Sequence, residues 1–163
     1  MRIRAHTLDK NSAGFTLIEL VVVFSIMAVL GTVGIASFVS YSRSQSLQQA
    51  TNDLLTTLNT AKADAVSQIK PADCQNKTLN GYQVVLLNTT SYQLQAICNG
   101  SLETTPPSPT PLPTGVSFSS ITPMTIRFDV LTGGVTGYGQ ITIIGASGTS
   151  PKTITVTAGG VIQ

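Results

Sequence analysis

The sequence has few of the residues that metal sites and acid–base catalysis need. His6 is its single histidine, and Cys74 and Cys98 are its only cysteines. Two cysteines cannot form a four-cysteine metal site, and a body without histidine lacks the commonest general base. No metal and no cofactor is therefore expected, and the composition argues against an enzyme. The few carboxylates also show no recognisable catalytic spacing.

Charged residues are scarce too, at 10% of the 163 residues. Three of the nine basic residues and one of the seven acidic residues lie in the first fourteen positions, so the other 149 residues carry six of each sign. A net positive charge is what attracts a protein to nucleic acid or to an anionic membrane surface. Beyond the first fourteen residues this attraction is missing, and nucleic acid is not an expected partner.

A long apolar segment runs from Phe15 to Val39. Eighteen of its 25 residues are apolar, and Glu19 is its sole charge. A membrane-spanning helix needs about 20 such residues. The Leu, Ile, Val and Phe side chains each favour insertion by about 0.3–0.6 kcal/mol, which together exceeds the ~3 kcal/mol cost of one charge. The segment predicts a transmembrane helix, and a buried core helix is the alternative.

The basic residues that precede the segment predict its orientation. Arg2, Arg4 and Lys10 lie before it, and only Arg43 follows it closely. Basic residues stay on the cytoplasmic side of a membrane. The protein is therefore expected in the cytoplasmic membrane as a single-pass protein, with its N-terminus in the cytoplasm and its C-terminal part outside.

A polar leader ends in glycine directly before the apolar segment, where the sequence from Gly14 reads GFTLIELVVV. This combination of a polar leader, a glycine, an aromatic residue and a nearby carboxylate resembles the prepilin motif of type IV pilins and type II secretion pseudopilins. The resemblance implies cleavage between Gly14 and Phe15 by a prepilin peptidase, and N-methylation of Phe15. It also implies partners: other pilin subunits through helix packing, an assembly platform in the cytoplasmic membrane, and lipid before assembly.

Glu19 has a physical role in this interpretation. A carboxylate inside an apolar helix is costly unless it meets a cation, and the new α-amino group, with a pKa near ~8, supplies one. A pair at about 4 Å gains roughly 4 kcal/mol at an effective dielectric near 20, before desolvation is counted. The resemblance makes Glu19 the assembly charge that meets the Phe15 amine of a neighbouring subunit. A carboxylate reaching toward the cytoplasmic interface is the alternative.

The helix is expected to continue to about Ile69. Apolar residues recur every three or four positions, which is typical of one buried helix face. This stripe consists of Leu47, Ala50, Leu54, Leu58, Ala61, Ala65 and Ile69. Pro71 is expected to end the helix at Lys70. Gly31 and Gly34 weaken it by about 1 kcal/mol each, so they are candidates for helix flexibility, and close helix packing through small residues is the alternative.

After Pro71 the apolar pattern alternates, as in β-strands. Strands are predicted at 82–87, 92–98, 116–118, 125–130, 140–144 and 153–156. The fold class is therefore α+β, with a long N-terminal helix packed on a small antiparallel β-sheet domain. The predicted organisation is a leader (1–14), a transmembrane and assembly helix (15–39), an amphipathic helix (40–70) and an extracytoplasmic β-sheet domain (71–163).

Two features of the outer domain follow from composition. Residues 104–113 contain five of the eight prolines, which predicts an extended, solvated loop; a polyproline docking surface is the alternative. Cys74 and Cys98 lie 24 residues apart in an oxidising compartment and predict a disulfide worth roughly 3 kcal/mol, with two separate core thiols as the alternative.

The order of these pieces is similar to the GspH/FimT family of minor pseudopilins and minor pilins. The similarity rests on LQQATNDLL from Leu47, AKADA from Ala61, and the terminal strands around IRFD and TITV. It implies a structural subunit of a type IV pilus or a type II secretion pseudopilus. Some members of the family bind DNA during natural transformation, which is the alternative function. The last six residues, from Ala158 to Gln163, lack the basic residues of that pattern.

Overall fold

The structure, a computed structural model, describes residues 14–102, 107–120 and 124–163. The predicted leader lies outside these residues except for Gly14. The described chain forms one long helix α1 (Leu17–Val66), a short 3-10 helix (Ala72–Cys74) and nine strands. It divides into two compact units, the first ending at Phe38 and the second running from Val39 to Gln163.

The helix α1 ends at Val66, three residues before the predicted end. Gln68 adopts a left-handed conformation with φ of 54°. The amide of Ile69 donates to the carbonyl of Asp64 at 3.0 Å, and the amide of Gln68 donates to that of Ala65 at 3.3 Å. These two bonds form a Schellman cap, which ends the helix before Pro71 can. Ile69 therefore leaves the predicted stripe and is 54% exposed.

The strands form two antiparallel sheets. They are β1 (Leu79–Asn88), β2 (Ser91–Cys98), β3 (Ser101–Leu102), β4 (Thr110–Pro111), β5 (Ser117–Phe118), β6 (Thr125–Asp129), β7 (Val135–Thr136), β8 (Gly139–Ile144) and β9 (Lys152–Val156). The first sheet has the order β3-β2-β1-β6-β7, with β4 also on β2, and the second has the order β5-β8-β9. The amide of Phe118 donates to the carbonyl of Thr89 at 2.8 Å, which links β5 to the turn between β1 and β2.

The core lies between the second half of α1 and the sheets. Six of the seven predicted stripe residues, all except Ile69, are buried against alternate residues of the strands. On β1 the buried residues are Tyr82, Val84 and Leu86, and on β6 they are Ile126 and Phe128. Because strand side chains alternate between two faces, the helix covers one face of the larger sheet. The predicted α+β class is confirmed.

The six predicted strands are present, and three short ones were not predicted. These are β3, β4 and β7, each two residues long. The strand β4 lies in the proline-rich segment and pairs with Ser91 and Tyr92 at the edge of β2. A proline is tolerated there because an edge position does not require its missing N–H. Residues 107–111 are exposed, Leu112 is half-buried against the core, and 104–106 lie outside the described residues, so a solvated loop over 104–113 stays a prediction.

The predicted disulfide is present. It joins Cys74, at the end of the 3-10 helix, to Cys98, the last residue of β2, and their Cα atoms are 5.8 Å apart. That separation lies in the usual range for disulfides of about 4.4–6.8 Å. Both residues are buried. The bond therefore fastens the connection after α1 to the end of β2.

Candidate processing and assembly site

The helix begins two residues after Phe15, and Thr16 caps it. Gly14, Phe15 and Thr16 are not helical. The Thr16 hydroxyl oxygen Oγ1 accepts a hydrogen bond from the amide of Glu19 at 3.3 Å. Helix starts leave four amides without helical partners, and a threonine followed three residues later by glutamate commonly satisfies two of them. The motif thus contains its own helix start, directly after the predicted cleavage position.

The predicted cleavage position is open to solvent. Gly14 is exposed, and a Cβ atom built on it would meet no atom within 4 Å. Phe15 is 81% exposed. A peptidase needs an accessible segment, and the Gly14–Phe15 bond lies in an exposed, non-helical one.

Glu19 lies in the first turn of α1 and is exposed. Among the residues that the structure describes, no basic group lies within ion-pair distance of Glu19. The ion pair in the described chain joins Arg127 and Asp129, which lie in the second unit. A negative charge near a helix N-terminus stabilises the helix by about 0.3–1 kcal/mol. Glu19 therefore already contributes to the start of the helix in the uncleaved chain, and its carboxylate is available for a cation from elsewhere.

The first half of α1 exposes a continuous apolar surface. Every large apolar side chain described between Phe15 and Tyr41 is exposed. The most apolar 18-residue window of α1 has a mean hydropathy of 2.4 and none of it is buried. By length and composition this helix can cross a membrane. An apolar surface of this extent requires lipid or other protein chains to cover it.

The chain is helical through Gly31 and Gly34. Nothing lies within 4 Å of a Cβ atom built on Gly31. A helical backbone and open space are compatible with flexibility at these two glycines and also with helix packing through them, so both stay predictions.

Most basic side chains of the second unit each bind a separate acceptor. Arg127 pairs with Asp129 at 2.9 Å. The Lys62 ammonium donates to the carbonyl of Gly160 at 2.9 Å, and the Lys70 ammonium donates to that of Lys77 at 3.0 Å. These contacts do not gather the side chains into a shared basic surface for a phosphate backbone.

Tyr92 is the described group with a shifted pKa. Burial raises the pKa of its hydroxyl above the ordinary value of 10.0, a hydrogen bond with Thr57 lowers it, and the negative charge of Asp53 raises it. Burial dominates because the charged phenolate would lose its hydration. The described residues contain no group of three or more metal-binding side chains. Tyr92 is a core residue, because it is buried and packs edge-on against Phe118 with ring centres 6.5 Å apart.

Sequence reasoning singled out Gly14, Phe15 and Glu19 and missed Thr16. The signal was available, because threonine, two residues and then glutamate form the capping pattern. The structure brings Thr16 and Glu19 together in one helical turn, adjacent to the accessible Gly14–Phe15 bond. Cys74 and Cys98 form a separate, structural site.

The comparisons with known proteins agree with this geometry. Residues 9–35 match the family model described as the prokaryotic N-terminal methylation motif. No curated protein and no solved structure matches the chain significantly. The matched residues cover the leader end, the Gly14–Phe15 bond, the helix cap and most of the apolar segment. The chain thus carries the prepilin signal of type IV pilin-like proteins, which supports a pilin or pseudopilin family, a membrane-anchored structural subunit and processing by a prepilin peptidase.

Proposed function

We propose that the chain is a minor pilin or pseudopilin that assembles into a type IV pilus or a type II secretion pseudopilus through its N-terminal helix. The observation that carries this proposal is the methylation motif at residues 9–35, which coincides with a capped apolar helix whose described large side chains are exposed. The similarity to the GspH/FimT family stays part of the proposal. The subunit inserts into the cytoplasmic membrane as a single-pass protein, with residues 40–163 outside.

The first step of the proposed function is cleavage between Gly14 and Phe15, followed by methylation of the Phe15 amine. The exposure of both residues supports the access that the peptidase needs. Cleavage leaves Thr16 as the second residue of the new chain, so the hydrogen bond from the Glu19 amide to Thr16 survives. The processed helix therefore starts with an amine at one end of its first turn and a carboxylate at the other.

The second step is helix packing, in which Glu19 meets the Phe15 amine of a neighbouring subunit. No described cation neutralises Glu19 within the chain, and a carboxylate in an apolar helix is costly unless it meets a cation. A filament that supplies the amine removes part of that cost and fixes the register between helices. Gly31 and Gly34 supply the local flexibility for this packing in the proposed function.

The second unit is presented outside the membrane. The buried half of α1, the two sheets and the Cys74–Cys98 disulfide give it its own core. We propose that it supplies the surface by which this subunit differs from others. The described basic side chains carry no argument for DNA binding, so that function is not proposed.

Processing can be tested with Gly14→Leu expressed in cells that contain a pilus or type II secretion system. The side chain meets open space, so the folded domain should be unchanged and only cleavage should fail. Mass spectrometry of the wild-type chain should show an N-terminus at Phe15 that carries one methyl group. A wild-type chain that keeps its first fourteen residues would contradict the proposal.

Assembly can be tested with Glu19→Gln, because glutamine keeps the size and removes the charge. The variant should be cleaved and inserted normally but should be lost from sheared filaments or from crosslinked subunit complexes. Asp53→Asn is the matched control, since Asp53 is an exposed acid on the same helix in the second unit. Normal incorporation of Glu19→Gln would show that the charge is not needed for assembly.

A further inference from the structure

A small cleft lies beside α1 shortly after the apolar segment. It is lined by Ser42, Arg43 and Ser46 of the helix, by residues 114–116, and by Ala146. Its volume is about 140 Å³, whereas pockets for drug-sized ligands measure about 300–1,000 Å³. The cleft is therefore large enough for a small chemical group and too small for a drug-sized ligand.

The guanidinium of Arg43 is held at this cleft. One of its terminal nitrogens donates to the carbonyl of Ser147 at 3.2 Å. Ser147 lies in a tight turn in which the amide and the hydroxyl of Thr149 both donate to the carbonyl of Ala146, at 3.3 and 2.8 Å. Arginine has five N–H donors, so most of them stay available to a ligand.

The charge of Arg43 is not compensated. Within the described part of the chain no carboxylate lies within ion-pair distance of it. Asp53, the next acid along the helix, is ten residues further, or about 15 Å at 1.5 Å per residue. Of the neighbouring lining residues, Ser42 and Thr114 bear hydroxyl groups, while the hydroxyl of Ser46 already donates to the carbonyl of Ser42 at 3.1 Å. Guanidinium and hydroxyl donors without an acid are the groups that bind phosphate.

Arg43 also follows the apolar segment closely along the sequence. Leu20 to Val39 is twenty residues, or about 30 Å of helix, which equals the hydrocarbon thickness of a bilayer. The headgroup layer adds about 5–8 Å on each side, or roughly three to five helical residues. Arg43 is four residues beyond Val39. Tyr41, which is 64% exposed, lies in the same layer, where tyrosine is enriched.

We propose that this cleft binds the phosphodiester headgroup of an anionic phospholipid in the outer leaflet, with Arg43 as the charged ligand. The inference rests on the proposed function, because it applies to the membrane-inserted subunit before assembly. A subunit that leaves the bilayer for a filament must release this lipid. The cleft therefore adds a lipid-dependent step to extraction.

The test uses the full-length chain in nanodiscs of one third phosphatidylglycerol and two thirds phosphatidylcholine. Native mass spectrometry counts the phosphatidylglycerol molecules that stay on the released chain. Arg43→Gln should lower that retention about fivefold, the factor expected for one basic residue near an anionic surface. Thr114→Val, which removes one hydroxyl and keeps the charge, should give a smaller loss. Arg127→Gln is the control and should retain lipid like the wild type, because Arg127 lies on a strand of the sheet and pairs with Asp129.

Three results would overturn the inference. Equal retention by Arg43→Gln and the wild type would remove Arg43 from lipid binding. Full displacement of phosphatidylglycerol by inorganic phosphate would assign the cleft to soluble phosphate. A wild-type chain that does not enter the nanodiscs would overturn the proposed function and the lipid site together, which distinguishes that failure from a failure of the cleft alone.

Discussion

The two halves of α1 have the same backbone structure and opposite side-chain environments. From Leu20 to Val39 every described large apolar side chain is exposed, while from Leu47 to Ala65 the apolar side chains of the stripe are buried under the sheets. The first half is apolar on all sides, and the second is apolar on one. The spacing of apolar residues, and not the helical backbone, thus determines whether one face or the whole surface of each half must be buried.

Only one half of α1 is covered by other residues of the chain. The apolar face of the second half is buried in the core with the two sheets. The first half has no such cover among the described residues, so it depends on lipid or on other subunits. One continuous helix therefore contributes to a folded domain in its second half and, in its first half, is apolar enough to cross a membrane.

The largest effect is expected from placing a charge in each half at an exposed position. Leu30→Arg should cost about 3–4 kcal/mol of membrane insertion, because arginine is strongly unfavourable at the centre of a spanning helix. Thr56→Arg, also at an exposed position, should leave membrane retention unchanged, because it lies outside the apolar segment and a surface substitution changes stability by no more than about 0.5 kcal/mol. The measurement is the fraction of each chain that stays in membranes after an alkaline wash. Equal fractions would show that the first half does not span the membrane.

The converse experiment removes apolar contacts. Leu54 is fully buried, so Leu54→Ala should lower the free energy of unfolding of the second unit by about 3 kcal/mol. Leu30→Ala removes the same atoms from the exposed half and should leave that free energy unchanged. Urea unfolding in mild detergent, followed by tyrosine fluorescence, measures both. Similar losses in the two variants would contradict the assignment of the core.

The disulfide stabilises only the half of the helix that belongs to the domain. Replacing Cys74 and Cys98 together by alanine should lower the free energy of unfolding by about 3 kcal/mol, because the unfolded chain regains the freedom of the closed loop. Reduction of the wild type should have a similar effect. Membrane insertion, measured as above, should be the same with and without the bond.

A pH experiment addresses the interior beneath the second half of α1. The raised pKa of Tyr92 means that the folded state holds its hydroxyl proton more tightly than the unfolded state, whose tyrosine ionises near pH 10. This contribution to stability is complete below about pH 10 and is lost as the pH rises through the folded pKa, by at most about 1.4 kcal/mol per pH unit. Tyr92→Phe should flatten the alkaline part of the profile. An unchanged slope would contradict the assigned cause.

The smallest effect is expected at the end of the helix. Gln68 adopts a left-handed conformation, which costs about 1–2 kcal/mol for a residue with a side chain. Glycine avoids this cost but loses about 0.5–1 kcal/mol of chain freedom on folding. Gln68→Gly should therefore stabilise the second unit by about 0.5 kcal/mol, seen as a small rise in Tm. A lower Tm would show that the Gln68 side chain makes a stabilising contact.

Much of the fold was predictable because its signals are local. The stripe from Leu47 to Ala65 and the alternation in β1, β2, β6 and β8 follow the periods of helix and strand. The end of α1 was misplaced because Gln68 is not a residue that usually adopts a left-handed cap. The strands β3, β4 and β7 have two residues each, too few to show any period. The division into two sheets depends on long-range pairing that no local pattern contains.

The candidate site was predictable in part for the same reason. Gly14, Phe15 and Glu19 belong to one contiguous motif, so the sequence identifies them together. The cleft around Arg43 joins residues 42–46 to residues 114–116 and to Ala146. Those segments are about 70 and 100 residues apart along the chain, and only the folded chain brings them together.

The position of the Thr16 hydroxyl determines which peptide bond can be cut without loss of the helix cap. A break before Phe15 spares the hydroxyl, and the shortened chain keeps an acceptor for the Glu19 amide. A break two bonds later would discard it and leave the first turn to unravel. The leader can thus be removed in one operation without the anchor having to refold.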